Sequence, residues 1–364
     1  MRPAKLLFWA SSALIVHTHV GYPALLWLLA RNRRDPEPRT EGATPSVTVV
    51  VAAYDEEEVI ARKVEDVLSL DYPRERLELI VASDGSRDAT VERARTAGAD
   101  LVLELPRGGK VRAQDQAVER ASGEIVVFSD ANARLEPDAL RRLVERFAAD
   151  PGLGYLCGQV RFTTEDGDNQ EGLYWRYELA IRELESRLGD VTAGNGALYA
   201  TRRDSYLVVD SRMGHDLSFP SSMVKRGRRA KYEPRAVATE KTTPSNEAEF
   251  RRKRRMMSHT WLILLEGGIL DPRGYSPLYA FQVLSHRLLR YLTPFLHAIA
   301  LVTSWRLRRR LALAVQAAFA AAAAIGKPAV ARYYVLVTAS PAFGLVDHLV
   351  AGTEAGWEKA EGTR

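Results

Sequence analysis

An open α/β fold with a largely parallel sheet, bracketed by apolar helices, is the fold class this sequence predicts. Three observations carry that expectation. The run Ile125-Val-Val-Phe128 consists of β-formers without a polar residue, as a strand buried on both faces requires, and it ends abruptly on Ser129-Asp-Ala-Asn132. Three earlier runs, Val47 to Ala53, Leu77 to Ala82 and Asp100 to Leu105, are also strand-like and are separated by helical patterns. Alternation of this kind gives a parallel, doubly wound sheet, with ligands at the carboxyl ends of its strands. Long apolar segments then occupy both ends of the chain, Leu6 to Ala30 and most of the sequence beyond Ser276.

Composition sets the outer limits. The chain has 364 residues and a formal net charge of +5. One cysteine, Cys157 in an apolar run, excludes an internal disulfide framework and reads as a small buried residue. Basic residues gather at Arg31 to Arg34, Arg226 to Lys231, Arg251 to Arg255 and Arg306 to Arg310. Most of these clusters adjoin apolar segments and none alternates with aromatics, so a membrane surface and a phosphate-rich substrate explain them better than nucleic acid does.

Leu6 to Ala30 exceeds the roughly 20 residues that cross a bilayer and is followed at once by arginines. It is read as a retained anchor whose basic flank keeps the following domain in the cytosol. Asp35 to Pro45 forms a polar linker. The first strand ends in Ala53-Tyr-Asp-Glu-Glu-Glu58, and Val59, Val64, Val67 and Leu68 give the next helix its apolar face. The second strand ends in Ser83-Asp-Gly-Ser-Arg-Asp88, where Gly85 permits the turn and Asp88 or Ser86 can cap a helix beginning near Ala89. The third leads into Pro106-Arg-Gly-Gly-Lys110, a glycine loop presenting cations before a helix over Val111 to Ala121. At the fourth, Asp130 and Asn132 offer oxygen ligands of the kind that hold Mg²⁺ against a diphosphate, although a helix cap fits the same residues. Leu135-Glu-Pro-Asp138 reads as the opening of the next helix, with proline in its first turn.

Tyr155 to Phe162 is expected to form a fifth strand. Glu171 to Leu188 is expected to form an amphipathic helix, whose Tyr174, Trp175 and Tyr177 suit packing better than a sugar platform. Thr192-Ala-Gly-Asn-Gly-Ala-Leu-Tyr199 is a glycine turn entering a short strand, and Gly214-His-Asp-Leu217 starts a helix that Asp216 could cap. Phe250 to Met257 is strongly basic, with Arg252 and Arg255 on one helix face. Leu278 to Trp305 begins amphipathically, as an interfacial helix does, and Leu311 to Ile325 with Ala329 to Val350 suggests a membrane hairpin. The expected organisation is an anchor over 1–34, a cytosolic domain over 45–260, and interfacial and transmembrane helices over 276–364.

In order, Val51-Ala-Ala-Tyr-Asp-Glu-Glu57, Val81-Ala-Ser-Asp-Gly-Ser-Arg-Asp88, Arg107-Gly-Gly-Lys110, Phe128-Ser-Asp-Ala-Asn132, Gly194-Asn-Gly196 and His215-Asp216 resemble the motifs of the family 2 glycosyltransferases. The resemblance covers roughly residues 45 to 260. It implies a GT-A, Rossmann-like nucleotide-sugar domain and a cell-membrane location with the catalytic domain cytosolic. Ala53, Tyr54 and Glu56 would then cradle the nucleotide, Asp84 would bond its base or ribose, and Lys110 and Arg255, with Arg252, would meet the diphosphate. Asp130, with Asn132, would hold Mg²⁺ or Mn²⁺. Gly194 and Asn195 would lie on the acceptor side, and Asp216 would be the base that deprotonates the acceptor hydroxyl.

Three departures qualify that picture. Asn132 stands where a second metal-binding aspartate is common, and His215 stands where an acidic residue precedes the base. Arg252-Lys-Arg-Arg255-Met256 lacks the glutamine and tryptophan of the Gln-x-x-Arg-Trp motif of processive synthases. The reading is therefore an inverting transferase using a nucleotide sugar, with a UDP-sugar favoured, and a lipid-linked or surface-glycan acceptor at a membrane. A processive synthase, a polyprenyl-phosphate transferase and an inactive membrane scaffold are the alternatives.

Overall fold

The computed structural model describes residues 2–33, 44–163, 171–241, 246–326 and 329–356. Most of the predicted linker and the end of the tail lie outside them, as does the side chain of Tyr174. The chain begins with a continuous helical stretch, α1 (Arg2–Val16) and α2 (Tyr22–Ala30), joined by a π-helical turn at His17–Gly21. There follow β1 (Val47–Ala53), α3 (Ile60–Leu68), β2 (Leu77–Asp84), α4 (Thr90–Thr96), β3 (Leu101–Leu105), α5 (Lys110–Arg120) and β4 (Ile125–Asp130). The second half of the domain comprises β5 (Arg134–Leu135), α6 (Ala139–Ala149), β6 (Leu153–Thr163), α7 (Glu171–Leu188), β7 (Leu198–Arg202), α8 (His215–Lys225) and β8 (Arg229–Lys241). Then come α9 (Asn246–Leu265), α10 (Pro277–Gln282), α11 (Leu289–Arg306), α12 (Arg310–Ile325) and α13 (Ala329–Ala351), with a second π-helical turn, Val283–Leu288, between α10 and α11.

All the strands join one sheet in the order β3-β2-β1-β4-β7-β6-β8-β5. Its first half is parallel, as the alternation of strands and helices requires: β1 pairs with β2 and β4, and β2 with β3. The second half is mixed. β7 runs antiparallel to both β4 and β6, while β6 and β8 are parallel. Alternate residues of β1 feed two cores. Val47, Val49 and Val51 pack with Ile60, Val64 and Val67 of α3 and with Leu140 and Leu143 of α6. Val50 and Ala52 face Ala113 and Ala117 of α5 and Phe219 and Met223 of α8. Each such fully buried Val, Leu or Phe stabilises the fold by about 1.5–3 kcal/mol.

One local expectation is corrected. Leu135-Glu-Pro-Asp138 does not open a helix. Arg134 and Leu135 instead pair with β8, Glu136 N–H donates to Val237 O at 3.0 Å, and α6 starts only at Ala139. β8 itself is not evident in the sequence, because Pro234 and its charged neighbours interrupt any alternation. The pairing with β6 skips residues 234–236, so the proline costs no ladder bond.

Outside the sheet, Tyr22, Leu26 and Ala30 of α2 pack on Ile181 and Leu188 of α7. Arg2–Ala30 and Val330–Ala351 are long and apolar enough to cross a membrane, each with mean hydropathy 1.4, whereas Arg310–Ile325 is apolar but shorter. The segment 277–306 buries Gln282, Ser285, His286 and Arg287, which suits packing on the domain.

Candidate active site

The polar tips of β1, β2 and β4 lie side by side, because the parallel register aligns Ala52 with both Ala82 and Asp130. Asp130 forms an ion pair with Lys110, the first residue of α5, and both side chains remain partly exposed. Gly196 lies against that pair: a Cβ there would sit 3.3 Å from Lys110 Nζ and 3.5 Å from Asp130 Oδ2. The helix-cap alternative for Asp130 is therefore not what this structure shows. The turn behind Asp130 is held from inside the protein. Lys63 of α3, 2% exposed, donates to Ser129 Oγ at 2.7 Å and to Ala133 O at 2.6 Å. Burial pushes the Lys63 ammonium down to about 8, opposed first by the charge of Asp130, so it remains largely cationic at neutral pH. Burial, and next the Asp130 carboxylate, push Glu240 at the end of β8 upward.

Asp84 is buried at the tip of β2 and is occupied in this conformation. It accepts from Arg107 Nη1 at 2.6 Å, from Gly108 N–H at 2.7 Å and from Gly109 N–H at 3.0 Å. The Arg107 guanidinium also lies 3.4 Å from the centre of the Tyr54 ring. Gly109 has φ +96, a conformation that favours glycine. Glycines here thus bring backbone close to Asp84. A small cleft beside it is lined by Asp84, Leu105, Pro106, Arg112, Ala113 and Gln116. Ala53 is fully buried in the strand, and Glu56 is 2% exposed, with its N–H donating to Thr90 Oγ1 at 2.7 Å. Asp88 accepts from Thr90 N–H at 3.0 Å and from Glu57 N–H at 3.1 Å, so it ties the first two loops together, while the N-cap position of α4 is Ala89.

Asp216 sits in the first turn of α8, whose N-terminal amides favour a carboxylate. Burial nevertheless raises its pKa above the ordinary value, opposed first by the charge of Lys110. Its backbone carbonyl accepts from Gly194 N–H at 2.7 Å, which joins the glycine loop to the helix start. Gly194 is required there, since a Cβ would collide with Tyr155 Oη. The Asn195 amide is used within the loop, donating to Gly158 O at 2.7 Å and accepting from Leu198 N–H at 2.9 Å. His215 turns away from solvent into Phe128, Tyr199, Tyr206 and Phe219, and burial pushes its pKa down to about 3. Arg252 forms a forked pair with Glu249, and Arg255 is half-buried on the same helix.

The site residues suit a hard cation. Asp130 and Asn132 would offer oxygen ligands from one turn. No group of three or more His, Cys, Asp or Glu side chains converges among the described residues. Two such oxygens fit Mg²⁺ where phosphates and water complete its shell. Lys63 and Glu240 escape a sequence reading: one lies on an amphipathic helix and the other on a strand with no clear pattern.

Comparison with known proteins agrees with this geometry. The profile described as "Glycosyl transferase family 2" matches residues 48–207. A mannosyltransferase from Pyrobaculum calidifontis, solved in complex with GDP-Man and Mn²⁺, has a TM-score of 0.74 at 25% identity, covering 95% of this chain and 99% of that one. A poly-β-1,6-N-acetyl-D-glucosamine synthase of Staphylococcus aureus is 29% identical over 202 residues, 52% of this chain and 48% of the relative. A β-monoglucosyldiacylglycerol synthase of Synechocystis is 37% identical over 165 residues, 42% of this chain and 33% of the relative. The chain thus spans about half or less of the length of these two curated relatives. Sheet, strand-tip site and relatives together define a GT-A glycosyltransferase. Residues 48–207 carry a family 2 glycosyltransferase domain.

Proposed function

We propose that this enzyme is a membrane-bound, inverting glycosyltransferase that moves a sugar from a nucleoside-diphosphate donor to the hydroxyl of a lipid-linked or surface-glycan acceptor. The observation that carries this reading is the convergence of Lys110, Asp130 and Gly196 at the strand tips, with Asp216 within the electrostatic reach of Lys110. Tyr54 and the Asp84 cleft receive the nucleoside, and the Lys110 ammonium meets the diphosphate. Asp130 and Asn132 would hold a divalent cation, which when bound would supply positive charge against the departing nucleoside diphosphate. Asp216 takes the proton of the acceptor hydroxyl as that oxygen forms the new bond to the anomeric carbon. One displacement inverts the centre. Cys157, buried and pushed up to about 11 by that burial, takes no part.

The two apolar helices, with exposed Leu6, Trp9, Leu349 and Val350, support a membrane location. The name of the staphylococcal relative favours a second reading, processive synthesis of a polymer. Arg252-Lys-Arg-Arg255-Met256 argues against it, since the glutamine and tryptophan are missing. The test is transfer by the detergent-solubilised full chain with UDP- and GDP-sugars, membrane lipid extract, and Mg²⁺, Mn²⁺ or chelator. One donor turned over only with metal, and not by Asp130→Ala or Asp216→Asn, is the expected result. A single-sugar lipid product supports the first reading and a long polymer the second. The absence of turnover and of donor binding would refute both.

A further inference from the structure

α7 carries charged residues on a face shielded from solvent. Glu178, Arg182 and Glu185 recur at helical spacing and are 8%, 5% and 0% exposed. Buried ions contribute little to stability compared with apolar side chains of similar size, so the groups these residues hold are informative. Glu185 gathers donors from three separate parts of the chain. Its carboxylate accepts from Tyr22 Oη of α2 at 2.5 Å, from Thr192 N–H at 3.0 Å and Thr192 Oγ1 at 2.9 Å, and from the His286 ring at 2.7 Å. Arg287, next to His286, donates from Nε to Thr192 Oγ1 at 2.8 Å. One helical turn before Glu185, Arg182 donates to Gly194 O at 2.8 Å. Gly194 N–H in turn donates to Asp216 O. The Thr192–Gly194 segment is therefore held by α7 on one side and by the proposed base's own backbone on the other. Two of the elements that complete the grip, α2 and the Val283–Leu288 turn, belong to the helices outside the sheet domain.

We propose that Glu185 is a positioning residue for the transfer step: it sets Thr192–Gly194, and through Gly194 the backbone of Asp216, and it does so through the docking of α2 and the Val283–Leu288 turn. The inference rests on the reading of Asp216 as the base. Its consequence is that transfer depends on how the apolar N-terminal helix sits against the domain.

The experiment uses the full chain in detergent, with Glu185→Gln, which keeps shape and removes charge, and Tyr22→Phe, which removes one hydroxyl. Three quantities are read: kcat for transfer, the dissociation constants for UDP and GDP, and hydrogen exchange at the Thr192 and Gly194 amides. The expected result is a kcat about tenfold lower in Glu185→Gln and about threefold lower in Tyr22→Phe, as small misplacements of a reacting group produce. Nucleotide affinity stays within about twofold, because the donor loops are untouched, and exchange quickens at Thr192 and Gly194 but not in β1 or β2. Unchanged exchange at those amides, or an unchanged kcat where exchange has quickened, overturns the proposal. So does a parallel loss of kcat, nucleotide affinity and sheet protection, which marks a purely architectural role. Exchange is read without turnover, so a wild-type protein that transfers no sugar refutes the functional reading while the link from Tyr22 to Gly194 is still decided. If Glu185→Gln fails to fold, the same three quantities in Tyr22→Phe decide between these outcomes.

Discussion

At Asp216, burial competes with the role of base proposed for it. Burial disfavours the carboxylate and raises its pKa, whereas proton abstraction needs the ionised form. Transfer is therefore expected to fall on the acid side at a pH above the ordinary carboxylate range, as the base becomes protonated. The sign for stability is opposite. A raised folded-state pKa means that the folded protein binds the proton more tightly, so this group favours folding increasingly as pH falls toward its unfolded value. A pH–rate profile of kcat checks the first statement. The same profile in His215→Gln is expected to keep its acid limb, because the buried imidazole, held down to about 3, is neutral throughout that range. A second expectation concerns Lys63. Lys63→Met leaves Ser129 and Ala133 without the ammonium, with an expected loss of about 1–3 kcal/mol in stability. A higher Mn²⁺ concentration for half-maximal donor turnover accompanies it. Thermal unfolding and a metal titration measure the two effects separately.

At the scale of elements, the loop from Thr192 to Gly196 is a close junction of several elements. It passes Tyr155 of β6, Asp216 of α8 and Lys110 of α5 within a few residues. Gly194→Ala places a methyl carbon on Tyr155 Oη and is expected to cost about 1–3 kcal/mol, or more if the loop is displaced from Asp216. Tyr155→Phe removes a hydroxyl that has no hydrogen-bond partner among the described residues. The double variant is therefore expected to regain part of the stability lost in Gly194→Ala, as read by thermal unfolding in detergent. β1, β2 and β4 are legible in the sequence because each is a largely apolar run buried between neighbouring strands and the helices on both faces. β8 is not legible, since its stability comes from pairing with β6 across a bulge at Pro234 rather than from its own pattern. Lys63 is hidden for a related reason. On an isolated amphipathic helix a lysine reads as solvent-facing, and only the arrival of Ser129, 66 residues later, buries its ammonium.

For the whole molecule, the sheet domain and the apolar helices form one connected unit. α2 packs on α7, and Trp261 of α9 donates to Pro341 O of α13 at 2.7 Å. With exposed apolar faces on α1, α12 and α13, the protein is expected to sediment with membranes, to resist extraction by salt, and to be released by detergent. Release by salt alone would place it at the surface through its basic clusters instead. The sequence by itself determined the parallel half of the sheet, the order of the polar loops and the apolar ends, because these follow from local periodicity and residue chemistry. Only the tertiary structure decided that Asp84 is held by the Arg107–Gly109 loop, that Lys63 and Glu240 stand behind Asp130, and that Glu185 ties Tyr22 to the Asp216 loop. Each of those contacts joins residues far apart in the chain, and their energies depend on burial that no local pattern encodes.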